Sequence, residues 1–400
     1  MITSIRKSYN ESFTKENYEH FLKALDKEFP GAIDFRVAET PVFVDKEIKD
    51  SMIACCQQII SFIQSKEFLA KTERAIPKDE RMENEGKHPH FIAFDFGIAE
   101  KKDGSLYPAL IEMQGFPTLF AYHAYYPQIL EQFFKIPSDY SNYFNNLNFE
   151  NYIPLLKKVI LGNHQCKEVI LLEIKPYEQK TRIDFYCTEK YLGIKSVCLT
   201  DIIEDGNKLY YNVDGEKVQV KRIYNRVIAD ELNNRKEELG KTIDFTNNYD
   251  VEWVTHPHWF YRISKFTLPF IQHECIPDTK FLNELDVVPS DLENYVLKPL
   301  FSFAGQGVII DVTKKDIEGV RDAENWILQK KVKYADCITT PTGPAKVEIR
   351  LMYIWEEGEE NPILVTNLAR LSKGKMIGVR YNADKDWVGG TVAYFKKDLK

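Results

Sequence analysis

No apolar run approaches the roughly 18 residues that a membrane-spanning helix needs, so no membrane partner is expected. Glycine (19) and proline (18) are sparse in 400 residues, which excludes collagen-like and low-complexity architectures. Cysteines are few and odd in number, at Cys55, Cys56, Cys166, Cys187, Cys198, Cys275 and Cys337, and none is spaced C-x-x-C. Neither a zinc knuckle nor a disulfide framework is written there, and buried free thiols in a reducing compartment are expected. Bases do not exceed acids: 53 against 60 leave a net charge of −7, so no overall field favours a phosphate backbone and no nucleic-acid partner is expected. The segment from Met1 to Lys7 lacks a secretory hydrophobic stretch, which predicts a cytoplasmic protein. A Walker A loop is absent, and no glycine-rich dinucleotide fingerprint leads into a helix.

What is present is a globular composition, 44% apolar and 28% charged, long enough for two or three packed units. Three- and four-residue apolar spacing predicts helices over 16–26 and 46–69, and again over 121–134 and 152–160. Period-2 runs predict strands at 91–96 and 107–113, joined by a turn at 102–105. A strand at 168–174, a helix at 180–192 and a strand at 194–199 form a βαβ unit, followed by a hairpin of 208–213 and 218–224. Further strands are expected at 295–300, 307–312, 326–329, 347–355, 363–371 and 391–395. The predicted division is 1–165 (helical part and first strands), 166–250 (inserted α/β substrate unit) and 251–400 (nucleotide-binding part).

Chemistry concentrates in three places. Lys298 enters a small-residue loop, Ser302 to Gly307, in which Gly305, Gln306 and Gly307 leave backbone N–H groups free to approach an anion, with Lys298 as a point charge. A plain hairpin with a snorkelling lysine is the alternative. The strand 326–329 turns polar at Gln329, Lys330 and Val332, which suits an adenine edge read by one side chain and the backbone, or equally a strand end fading into solvent. Glu348 and Arg350 share one strand face, and Arg370, Arg380 and Asn382 follow. Arginines beside carboxylate and amide oxygens suit phosphoryl transfer with Mg²⁺, or a salt-bridged sheet face. His88, His90, His256 and His258 lack a matched third ligand and read as solvated loop residues.

Together these segments resemble the ATP-grasp superfamily, and more closely the circularly permuted, eukaryotic-type glutathione synthetases. The likeness rests on 94–96, 103–105 and 110–114, on 209–226, on 296–299 with its glycine loop, and on 326–332 with 341–347. The family's Mg²⁺ strand has Glu-x-Asn where this chain has Glu112-Met113-Gln114. The resemblance implies an α/β fold with an ATP-grasp core and an inserted βαβ-type substrate domain. It implies ATP and Mg²⁺ as cofactors, with Glu112, Gln114 and Glu348 as metal ligands. Lys265, Lys298, Ser302, Gly305, Gln306, Gly307, Gln329, Lys330, Val332 and Asn382 would surround the nucleotide. Arg350 and Arg380 would be catalytic, and Arg182 and Arg226 would grip a substrate carboxylate. The implied reaction is ATP-dependent ligation of a carboxylate to an amine on amino-acid or peptide-like substrates; a kinase and a catalytically degenerate nucleotide-binding module remain open, as does a homodimer.

Overall fold

The computed structural model describes residues 1–301, 306–374, 377, 382 and 384–397, which form a mixed α/β fold with several sheets. Its centre is a five-stranded antiparallel sheet in the order Gly389–Thr391, Ile363–Ser372, Lys346–Ile354, Phe91–Glu100, Leu106–Gln114. Strand Phe91–Glu100 is buried along almost its whole length, so both faces are covered. Its alternation is informative. Ile92, Phe94, Phe96 and Ile98 point to one core, where helix Lys46–Ile63 lays down Met52, Cys55, Cys56, Ile59 and Ile60. Ala93, Asp95, Gly97 and Ala99 therefore point the other way. Three of those four side chains are small or absent, which lets side chains from other elements approach that face closely, Tyr334 at Gly97 among them. Helix Lys46–Ile63 starts where Asp45 accepts the Ile48 N–H, an N-cap that offsets the unpaired amides of the first turn.

A four-stranded parallel sheet follows the order Glu252–Val254, Arg222–Asn225, Val169–Glu173, Lys195–Cys198. The expected βαβ unit is present: helix Arg182–Leu192 joins its last two strands and stops at Gly193, whose φ of +77° is the left-handed cap that glycine adopts without strain. The expected hairpin is corrected. Lys208–Val213 pairs with Glu216–Val220, but Arg222–Asn225 crosses into the parallel sheet, because the Lys221 N–H turns to the Glu168 carbonyl at 2.8 Å.

A third sheet, antiparallel and three-stranded, has Trp326–Lys330 between Thr279–Phe281 and Tyr295–Pro299. The strand expected over 307–312 shrinks to one bridge, Ile309 with Leu297. The final strand is likewise divided: Gly389–Thr391 belongs to the central sheet and Ala393–Lys396 pairs with Val42–Val44. The histidines expected in solvent are another correction. His256 and His258 are buried; His258 Nε2 accepts the Met82 N–H at 2.9 Å and its Nδ1 meets Glu85 at 3.2 Å. All seven cysteines are free thiols; Cys55, Cys56, Cys187 and Cys275 are buried as expected, while Cys166, Cys198 and Cys337 are half-buried. Among the described residues no helix is long and apolar enough to cross a membrane.

Candidate functional site

The small-residue face of the central sheet carries a cross-strand row of charge. Glu112 lies opposite Asp95, and Asp95 opposite Arg350; one step along, Glu348 lies opposite both Arg370 and Gly97. Asp95, 4% exposed, accepts a fork from Arg350 on both carboxylate oxygens and a third bond from Arg370 at 3.1 Å. Burial pushes the Asp95 carboxyl up, but the two guanidinium groups outweigh it and hold it below the usual range. Glu348 is treated differently. Its Oε2 meets Arg370 at 2.9 Å and its Oε1 takes the Tyr334 hydroxyl, yet burial still leaves it above the ordinary carboxylate value. The Tyr334 ring lies against Gly97, where any Cβ would fall 2.5 Å from a ring carbon. Glycine is therefore required there for the tyrosine to reach Glu348.

The other wall comes from the three-stranded sheet and the segment before it. Lys265, at the start of the short helix Lys265–Phe270, stands 3.7 Å from Glu112. Lys298 donates to Gln329 Oε1 at 2.7 Å, and Gln329 Nε2 donates to Thr279 at 2.9 Å. Burial, helped by Lys265 and opposed by Glu112 and Glu348, pushes Lys298 down to about 8. The fold thus brings together Glu112, Lys265, Lys298, Gln329, Glu348 and Arg350 from segments far apart in the chain.

Other expected residues fall elsewhere or act differently. Gln329 is buried, and its carboxamide is engaged by Lys298 and Thr279 instead of facing outward to read a base. Lys330 is exposed, with its N–H on the Asp278 carbonyl, and Val332 is half-buried. Gln114 donates to the Phe116 carbonyl at 3.2 Å, which leaves its oxygen open. Gln306 and Gly307 are exposed at the end of the glycine loop, and Gly307, at φ +71°, packs over Pro299. Ser302, Gly305 and Arg380 lie outside the described residues. Asn382 Oδ1 receives the Ser372 hydroxyl and the N–H groups of Lys373 and Gly374, so it shapes a turn. Arg182 is held by the Gly31 and Gln179 carbonyls and by Asp34, away from this cluster. Arg226 is buried in a pair with Asp184 at 2.7 Å and also donates to the Thr118 carbonyl at 3.2 Å. The Thr118 hydroxyl accepts from Arg350 at 3.0 Å, so one residue joins the two arginines.

Sequence reasoning singles out Arg370 among the phosphoryl-transfer arginines but misses Asp95, Thr118, Thr279 and Tyr334 as site residues. One signal was available for Asp95: a carboxylate between Phe94 and Phe96 in an apolar strand demands a buried cation. For magnesium, the donor set fits in part. Glu112 is 33% exposed and Gln114 presents an amide oxygen, while both oxygens of Glu348 are occupied, so Glu348 offers no open ligand. Among the described residues no three acids, histidines or cysteines group as a ready-made metal site. Magnesium keeps waters and phosphate oxygens in its shell, so one carboxylate with one amide is a sufficient protein share.

No family model and no curated protein matches the chain. Among solved structures, a glutathione synthetase-like effector from Globodera pallida, in its apo form, matches with a TM-score of 0.58 over 95% of this chain and 96% of that one, at 9% identity. At that identity the likeness is one of fold. The mixed α/β architecture described above is consistent with the glutathione synthetase-like fold.

Proposed function

We propose that this chain is an ATP-grasp protein of the permuted glutathione synthetase type, an ATP-dependent carboxylate–amine ligase whose nucleotide lies between the central and three-stranded sheets. The observation that carries the reading is the meeting of Glu112 and Lys265 with Lys298 across that cleft. Lys265 and Lys298 neutralise the phosphates, and the side of Arg370 left open to water adds donors where charge builds up. Glu112 and Gln114 would hold Mg²⁺, which would supply neutralisation of the phosphate charge. The substrate carboxylate attacks the γ-phosphorus and releases ADP. The amine then attacks the acyl carbon and phosphate leaves, so no enzyme nucleophile is needed. Arg350, already forked onto Asp95, orders the cleft floor instead of meeting the moving phosphate. That closed pair also favours a second reading, nucleotide binding without turnover.

A screen for ADP release over amino acids, dipeptides and polyamines separates the readings. A ligase needs acid and amine together, a kinase releases ADP with one substrate, and a binding module releases none. In a ligase, Glu112→Gln should raise the Mg²⁺ concentration for half-maximal turnover by roughly three- to tenfold, since a neutral amide is the weaker hard-cation ligand. Normal turnover of this variant at low Mg²⁺ would remove Glu112 from the ligand set.

Lys298 also sets an expected pH profile. With its proton leaving near 8, ATP affinity should fall about tenfold from pH 7 to pH 9, as one unit above the pKa leaves roughly one ammonium in eleven charged. Its effect on folding has the opposite sign. The unfolded lysine holds its proton to 10.5, so between about 8 and 10.5 this group makes the fold more stable as pH rises. Calorimetric titrations across that range check the first expectation; a flat profile refutes it.

A further inference from the structure

We infer that Cys55 and Cys275 are a peroxide-sensitive thiol pair, which closes to a disulfide and ties helix Lys46–Ile63 to the segment 271–278 that leads into the three-stranded sheet. The inference goes beyond the nucleotide reading and stands without it. Ser51 and Cys55 are one turn apart on that helix and share a face. The Ser51 hydroxyl lies 3.3 Å from the Cys275 sulfur, and Cys55 shares a hydrogen bond with the same sulfur. The Cys275 backbone is fixed on both sides: its N–H donates to His273 Nδ1 at 3.1 Å, and its carbonyl accepts the Leu110 N–H at 2.6 Å. Cys56, next in the chain, is engaged by the Tyr353 hydroxyl instead.

The pair is asymmetric. Hydrogen bonds from Cys55 and Ser51, with the His273 ring nearby, hold the Cys275 thiol below its ordinary value against burial; the same contact, with burial, holds Cys55 above it. Cys275 is therefore the thiolate, the nucleophilic form, and Cys55 keeps a proton to give. Cys275 is 1% exposed, yet its chain neighbour Glu274 is open to solvent and Ser51 is half-buried, so its sulfur lies one layer down. A water-sized peroxide needs only a local opening to reach it. The Cys275 sulfur attacks one peroxide oxygen, the O–O bond breaks, and the departing hydroxide takes a proton from solvent to become water. The Cys55 sulfur then attacks the sulfenic sulfur, and its proton leaves with the oxygen as a second water. Two thiols lose two electrons, and the peroxide gains them.

Peptide mapping of the reduced full chain after brief treatment with hydrogen peroxide tests this. The expected product is a Cys55–Cys275 disulfide that dithiothreitol reverses. It should form roughly tenfold faster than any oxidation at the half-buried Cys166, Cys198 and Cys337, because thiolate character outweighs access. Exposure alone predicts the reverse order. Cys55 and Cys56 share one tryptic peptide, so Cys56→Ala, which should keep the bond, assigns it. Fragmentation between the two residues assigns it equally in the unsubstituted chain, where no variant has to fold. In a urea-unfolded chain the preference should vanish. A bond through Cys56, oxidation that begins at the half-buried thiols, or a pair that stays reduced overturns the inference. So does a Cys275 that stops at the sulfenic or sulfinic acid, and so does the same preference in the unfolded chain.

Discussion

Replacing Asp184 by alanine is expected to cost about 3–5 kcal/mol of folding stability, read by urea unfolding. Asp184 is fully buried; one oxygen accepts the N–H groups of Ala121 and Tyr122 at 2.9 Å each, and the other accepts Arg226 at 2.7 Å. Burial raises its carboxyl above the usual range even though Arg226 and both backbone donors oppose the shift. Truncation leaves the Arg226 guanidinium without its counter-ion and the start of helix Tyr122–Phe133 without its cap. Both losses are of buried groups, so water cannot replace them cheaply. Asp184→Asn keeps a carbonyl for the cap and loses the charge, so it should fall between the two. A loss below about 1 kcal/mol for the alanine variant would mean that neighbouring groups re-pair the arginine.

Lys298→Met should weaken ATP binding ten- to a hundredfold, the worth of one charge-assisted bond of roughly 1.5–3 kcal/mol. Fold stability should hold or rise slightly. The ammonium is held charged at neutral pH despite burial and a second lysine nearby, and methionine fills similar space without that cost. Gln329 Oε1 loses its donor in the exchange, which limits the gain. An unchanged dissociation constant, measured by titration calorimetry, would reduce Lys298 to a wall of the cleft.

Much of the framework was legible because local period decides it. The apolar run from Val169 to Leu172 and the strand–helix–strand order that follows marked the parallel unit, and alternation marked the central strands. Partner choice was less legible. Arg222–Asn225 continues a hairpin strand in sequence, and only the parallel sheet beside it shows where it goes. The site divides in the same way. Lys298 before its small-residue loop and Arg370 in its run of arginines stand in local settings that suggest chemistry, whereas Glu112 enters through the family resemblance. What the sequence does not show is the partner of Arg370, Asp95, 275 residues earlier. Gln329 was assigned a base to read because its strand turns polar there; Thr279 and Lys298, from neighbouring strands, take up that polarity.

Thr118 has a mechanical consequence. Its carbonyl is held by Arg226, which Asp184 fixes within the parallel unit, and its hydroxyl is held by Arg350 on the central sheet. Thr118 therefore pins the two sheets together with buried charge on either side, beside the apolar seam where Phe91 meets Leu171 and Tyr224. Hinge motion between them would break several bonds at once. The three-stranded sheet is bolted on as well: its Phe281 and Ile327 share a buried cluster with Ala75, Ile76, Phe116 and Phe266, and Arg74 lies over the Phe281 ring at 4.2 Å. Both walls of the cleft are thus pinned by buried contacts, as a fixed slot and not a hinged jaw.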